Sequence, residues 1–293
     1  MHLDPSKAIL IFASPRGGST WLEEILATIP GSATLWEPLN VDEVRAFKQI
    51  GFAWRQHIPE QETWPEAEQL FRQLFQGRLL SPYLAQATSL QGLKMADRAI
   101  VKFVRGHLLL PWLIGRFSPP RPVLLVRHPC AVVSSMLKHG AWNNLPVPPP
   151  VPAPHRYDER VRSYHALAGT VNTIEERLAL IWCMDHAYLL QHPQNDLAWT
   201  TITYEELVLR TPDTLAKVFA PWGMEVPALA LQRSKQPSRT SPPGPHPTAR
   251  EEQLTAWQRS LSAVQQERVI AMVERFGIDL YGRDALPLQS YTP

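Results

Sequence analysis

Cysteine is scarce: Cys130 and Cys183 are the two in a chain of 293 residues. Two cannot build a disulfide framework, and their separation has no metal-ligand spacing. Both sit in apolar helical contexts and read as small buried hydrophobes. The opening MHLDPSKAILIF has no basic segment, long apolar run or cleavage site, so no signal peptide is expected. The most apolar stretch, His107 to Phe117, is short and broken by Pro111, too short to span a bilayer. An excess of one charge is also missing. Lys and Arg number 29 against 27 Asp and Glu, a net charge of +2. With no basic stripe, a nucleic-acid partner is not expected, and any anion must be gripped by a local site. These absences point to a cytoplasmic protein with no membrane partner, and they leave the oligomeric state open.

The chain itself is ordinary globular material, 44% hydrophobic and 19% charged. Its length suits one domain, 1–293, with a sizeable core. Lys7 to Ala13 is a compact apolar run, the pattern of a strand buried on both faces. Ser14 to Ser19 is a Gly- and Pro-containing turn. From Thr20 the pattern is helical, with Trp21, Leu22, Ile25, Leu26 and Ile29 on one face and Glu23 and Glu24 placed to favour the helix start. Pro30-Gly31 ends it. Ala99 to Val104, Pro122 to Val126 and Ala198 to Thr203 read as further core strands, the second leading into a helix from Pro129 to His139. Strands alternating with helices predict an α/β fold, a mostly parallel central sheet covered by helices on both faces. The proline-rich stretches Pro146 to Pro154 and Pro237 to Pro247 predict extended loops. Thr173 with Glu176, and Ser262 with Gln265, read as capping boxes opening helices, the last ending near Gly277.

Two segments carry chemistry. Pro15-Arg16-Gly17-Gly18-Ser19-Thr20-Trp21 lies between strand and helix, where glycines let the backbone wrap an anion and helix-start amides point toward it. A plain strand-to-helix turn capped by Ser19 is the alternative. A Walker A P-loop fits poorly, since Gly18 stands where its lysine belongs and position 13 is Ala. No acidic magnesium ligand is evident either, so a small-molecule kinase is disfavoured. The second segment is Val123 to Ser135 (VLLVRHPCAVVSS). Arg127 leaves the carboxyl end of a strand, where open α/β sheets bind ligands, and Ser135 follows two helical turns later.

PRGGSTWL after an apolar strand resembles the 5′-phosphosulfate loop of the sulfotransferases that use 3′-phosphoadenosine 5′-phosphosulfate (PAPS). Cytosolic members have a lysine where this chain has Arg16, a swap that keeps charge but alters geometry. Arg127 and Ser135 resemble that family's 3′-phosphate segment. The resemblance runs from Ala8 to about Gly277, although the first two motifs alone are specific. It implies a P-loop-like phosphosulfate-binding loop and transfer of a sulfonate to a hydroxyl or amine of a small natural product or carbohydrate. PAPS would be the co-substrate, and no metal is implied. A member that binds nucleotide without catalysis is the rival. By the same resemblance Tyr204 lies against the nucleotide, and Ser238 and Arg239 belong to a loop that closes over it.

Sulfonate transfer needs in-line geometry, a cation beside the bridging oxygen and a base for the acceptor's proton. Arg16 is the first candidate cation. Lys102 is the second, from the family's strand lysine upstream of the 3′-phosphate segment. The family's glutamate in a Glu-Pro context, following the first helix, matches Glu37-Pro38 and makes Glu37 the candidate base. His107, displaced from the usual histidine position, is the reserve. Segments of about 40–80, 140–160 and 235–250 are expected to shape the acceptor pocket and lid. Trp54, Trp64 and Trp142 could stack on a sugar or ring there, with core packing as the alternative.

Overall fold

The structure, a computed structural model, describes residues 3–144, 164, 166–241 and 250–288. Five strands make one sheet: β1 Ile9–Ala13, β2 Ser32–Trp36, β3 Arg98–Phe103, β4 Val123–Val126 and β5 Thr200–Thr203. Their order is β2-β3-β1-β4-β5, and every neighbouring pair is parallel.

The central strands β1 and β4 are wholly apolar because each face has its own core, as a sheet covered on both sides requires. Leu10, Phe12, Val101, Phe103, Leu124 and Val126 enter one cluster with the helices Pro129–His139, Ile174–Leu190 and Ala263–Arg275. Ile9, Ile11, Ile100, Val123, Leu125 and Ile202 alternate into the other, against Ser19–Leu26, Tyr204–Leu209 and Thr211–Phe219. Each large side chain so buried contributes about 1.5–3 kcal/mol, and Phe12 and Phe103 add a stacked pair at 5.0 Å.

Several boundaries differ from the sequence reading. Lys7 is not in β1. Asp4 accepts from the Ser6 amide and Pro5 opens a short 3₁₀ turn over Pro5–Lys7, so the strand starts at Ile9. The first helix starts at Ser19, and β3 begins at Arg98. β5 begins at Thr200, whose amide donates to the Pro122 carbonyl just before β4. β2 was not expected at all. The helix Pro129–His139 and the capping boxes at Thr173 and Ser262 are as read, and Gly277 follows the last helix with φ 63°. The predicted loop at Pro146 to Pro154 lies outside the described residues, as does 242–247 of the second loop. Cys130 and Cys183 are both free and fully buried. The apolar stretch at His107 folds into a 3₁₀ turn and the core helix Leu110–Phe117, and no helix among the described residues is long and apolar enough to cross a membrane.

The order places the site. From β1 the chain passes over β3 to β2; from β3 it returns across β1 to β4. The winding reverses at β1, so the carboxyl ends of β3, β1 and β4 border the crevice in which open sheets bind ligands.

Candidate active site

A cleft of about 990 Å³ opens at those carboxyl ends. Each strand delivers a candidate residue just beyond its end: Arg16 after β1, Glu37 after β2, Arg105 after β3, Arg127 after β4 and Tyr204 after β5.

The loop after β1 is shaped by its glycines. The Gly17 amide donates to the Ser14 carbonyl at 3.0 Å, and a Cβ at Gly17 would stand 2.9 Å from that oxygen. Gly18 has φ 92°, and a Cβ there would come within 2.5 Å of the Tyr204 ring. Only glycine fits such a position without strain. Gly18, not Ser19, is the N-cap residue, and it supplies no side-chain acceptor. The amides of the first turn are therefore uncapped at the cleft, where Gly18, Ser19, Thr20 and Trp21 all form part of the wall.

Two guanidinium groups meet on this loop. Arg16, itself at φ 65°, donates from Nε to Ser135 Oγ at 3.1 Å. Arg127 donates from Nη1 to the Arg16 carbonyl at 3.1 Å and lies 4.3 Å from the Tyr204 ring centroid. Burial, then the charge of Arg127, holds the Arg16 proton affinity below that of an ordinary guanidinium. Arg127 Nε is buried without a hydrogen-bond partner among the described residues. Two like charges and an unspent donor in one cleft are chemically suited to hold an anion. The backbone behind Arg127 is pinned. Trp182 Nε1 donates to the Arg127 carbonyl at 3.1 Å, and the His128 amide donates to buried Glu205, which also accepts from Tyr281 at 2.7 Å.

Beside the loop lies a second charged group. Lys102, next to last in β3, is 1% exposed and stands behind the cleft wall, with Nζ 3.2 Å from Thr20 Oγ1, 3.2 Å from Glu23 and 3.5 Å from Glu37, and close over the Trp36 ring. Glu37, at φ 39°, also pairs with Arg105 at 2.9 Å, and Arg105 stacks on Trp54. Burial lowers the proton affinity of Lys102, and Glu23 and then Glu37 pull it back up. Glu37 follows β2, not the first helix, because Ser32–Trp36 pairs with β3 and sets Trp36 opposite Lys102.

Tyr204 is buried, edge-on to Trp21 at 5.7 Å, and its hydroxyl accepts from Gln253. Ser238 and Arg239 reach the cleft wall. Arg239 contacts Glu24 at 3.4 Å and Glu23 at 3.6 Å and stacks over Trp36. His107 is not brought to the cleft. It is 1% exposed, packed against His186 at 4.9 Å, and burial pushes its pKa down to about 3. Trp142 borders the cleft, Trp54 backs Arg105, and Trp64 is a core residue stacked on Phe52 at 4.8 Å. Among the described residues no group of three or more His, Cys, Asp or Glu is arranged to hold a metal ion.

Sequence reading missed the part played by Glu23. Its signal was a carboxylate three residues after Thr20, on the same helical face, among buried neighbours.

A five-stranded parallel sheet with a glycine loop gathering cations at its switch point defines an α/β protein of P-loop-like fold. The sequence model of the sulfotransferase family matches residues 8–228. The chain belongs to that family and is a sulfotransferase, an enzyme of sulfate transfer. Among solved structures, the sulfotransferase domain of the Synechococcus PCC 7002 olefin synthase aligns at TM-score 0.53 and 19% identity, over 96% of this chain and 98% of that one. The sulfotransferase domain from the curacin biosynthetic pathway aligns at 0.47 and 15%, over 92% and 98%. Mouse sulfotransferase SULT7A1, complexed with PAP, aligns at 0.46 and 14%, over 94% and 86%. At such identities the likeness concerns fold alone. No curated protein matches the sequence.

Proposed function

We propose that the chain transfers the sulfonate of PAPS to a hydroxyl or amine of a small natural product or carbohydrate. The observation that carries this is the meeting of Arg16 and Arg127 on one glycine loop, with Ser135 joining them. A donor with a phosphosulfate at one end and a 3′-phosphate at the other supplies the anions such a site demands. The loop 15–21 takes the phosphosulfate. Arg127 and Ser135 take the 3′-phosphate, and Tyr204 lies against the nucleotide. Ser238 and Arg239 belong to the covering segment.

In the transfer, the acceptor oxygen or nitrogen forms a bond to sulfur while sulfur parts from the bridging oxygen, which leaves on adenosine 3′,5′-bisphosphate. Arg16 on the cleft wall meets the charge gathering on that oxygen, and Lys102 adds its charge from behind the wall, through Thr20 at 3.2 Å. Glu37 takes the acceptor's proton. It is engaged by Lys102 at 3.5 Å and by Arg105 at 2.9 Å at rest, so base work requires donor or acceptor to draw both cations aside. His107, away from the cleft, has no part in this. A cytoplasmic setting accords with two free buried thiols.

The test is transfer of labelled sulfonate from PAPS to a panel of sugars, phenols and amines. Wild-type protein labels at least one class. Glu37→Gln cuts the rate by about 10²–10⁴-fold with donor affinity retained. No transfer to any acceptor, or a Glu37→Gln rate near wild type, overturns the corresponding step.

A further inference from the structure

The first helix carries an acid where its buried face should be apolar. Glu23 is 1% exposed and, like Lys102, stands behind the cleft wall; a carboxylate has no attraction to offer an anionic donor, so it acts through its neighbours. Two cations from different elements converge on it. Lys102 Nζ reaches Glu23 Oε2 from β3 at 3.2 Å; Arg239 Nη2 reaches the same oxygen from the covering segment at 3.6 Å. Both cations also lie against the Trp36 ring. An isolated carboxylate here would be costly to bury, so its partners fix its role.

We propose that Glu23 is a positioning residue that fixes the charge and place of Lys102, and that Arg239 shares Glu23 and so couples the seating of residues 234–241 to the reacting end of the cleft. One carboxylate oxygen serving two cations divides its attraction between them. When Arg239 is seated, Lys102 is held less tightly and is freer to turn toward a donor oxygen. With Arg239 withdrawn, Glu23 belongs to Lys102 alone. Arg239 is held in place by Glu24 as well, through its backbone amide at 3.3 Å and its guanidinium at 3.4 Å, and Glu24 also pairs with Arg233. The charged groups facing Lys102 are thus Glu23 from the first helix, Glu37 after β2 and Arg239 from the covering segment. Arg105 acts behind Glu37, and Glu24 and Arg233 behind Arg239.

The two substitutions then act in opposite directions. Glu23→Gln removes a negative neighbour, so Lys102 gives up its proton at lower pH. Arg239→Gln removes a positive neighbour and returns Glu23 wholly to Lys102, which keeps its proton to higher pH.

The measurement is an NMR titration of the Lys102 side chain in protein with isotope-labelled lysine, its signal assigned by absence in Lys102→Arg. The expected result is a midpoint shifted down in Glu23→Gln and up in Arg239→Gln, relative to wild type. Glu23→Asp restores part of the shift. Arg239 is well exposed, so its variant keeps the test alive if Glu23→Gln fails to fold. This arm needs no donor, so it stands apart from the PAPS reading. Its kinetic companion does rest on that reading: the alkaline limb of PAPS turnover moves the same way as the NMR midpoint in each variant. A Lys102 midpoint that ignores both substitutions, or moves the same way in both, overturns the proposal.

Discussion

Replacing Arg127 with alanine removes the side chain on which the anion site turns. Two losses follow from the geometry. The first is the contact proposed above to a donor phosphate, a charge-assisted hydrogen bond worth about 1.5–3 kcal/mol. The second is the bond to the Arg16 carbonyl at 3.1 Å, which steadies a residue held at φ 65°. At 1.4 kcal/mol per tenfold, the first loss alone weakens adenosine 3′,5′-bisphosphate by about 10- to 150-fold. Lysine restores the charge but not the planar fork that bonds the loop and stacks on Tyr204, so Arg127→Lys falls between. Titration calorimetry against wild type reads all three affinities, and a thermal melt verifies that the fold survives. A folded Arg127→Ala that binds within about twofold of wild type refutes the reasoning.

Gly18→Ala forces a Cβ to within 2.5 Å of Tyr204 at φ 92°. Left-handed strain of about 1–2 kcal/mol plus overpacking of about 1–3 is expected in urea unfolding, with weaker donor binding because Arg127 rests on the displaced ring. His107 and His186 stay neutral in the fold down to pKa values of about 3, and His128 to about 4, against an ordinary 6.5. The unfolded chain takes up these protons first. The stability they contribute is therefore complete above about pH 6.5 and declines as pH falls toward 3–4, by up to about 1.4 kcal/mol per pH unit for each histidine. Melting temperatures between pH 7 and 4 follow this slope, and His107→Leu makes it shallower; an unchanged slope contradicts the assignment. Burial pushes the Cys130 thiol up to about 12 and Cys183 well above its ordinary value. An aromatic disulfide reagent at neutral pH therefore leaves both unmodified until the protein is denatured, and rapid native labelling contradicts this.

What the sequence made legible was local. The apolar run, glycine turn and helix from β1 onward are contiguous, as are β4, Arg127 and the helix that holds Ser135. Periodicity and turn chemistry suffice for such units. β2 escaped because Ser32–Trp36 mixes polar and apolar residues and follows a helix end directly, so it is a strand by virtue of pairing with β3. The charged group around Lys102 escaped for a related reason. Glu23, Glu37, Arg105 and Arg239 come from four separate segments, and only the strand register and the packing of the first helix bring them together. His107 became a candidate because it lies a few residues after Lys102, near the family's usual histidine position, whereas its actual surroundings are His186 and a closed core.

The proposed function requires that one crevice hold a doubly anionic adenosine donor. A crystal grown with adenosine 3′,5′-bisphosphate tests it most directly. The expected density is one phosphate on the backbone of 16–20 and the other on Arg127 and Ser135, with Tyr204 beside the nucleotide. Nucleotide bound elsewhere, or an empty crevice at saturating concentration, would contradict it.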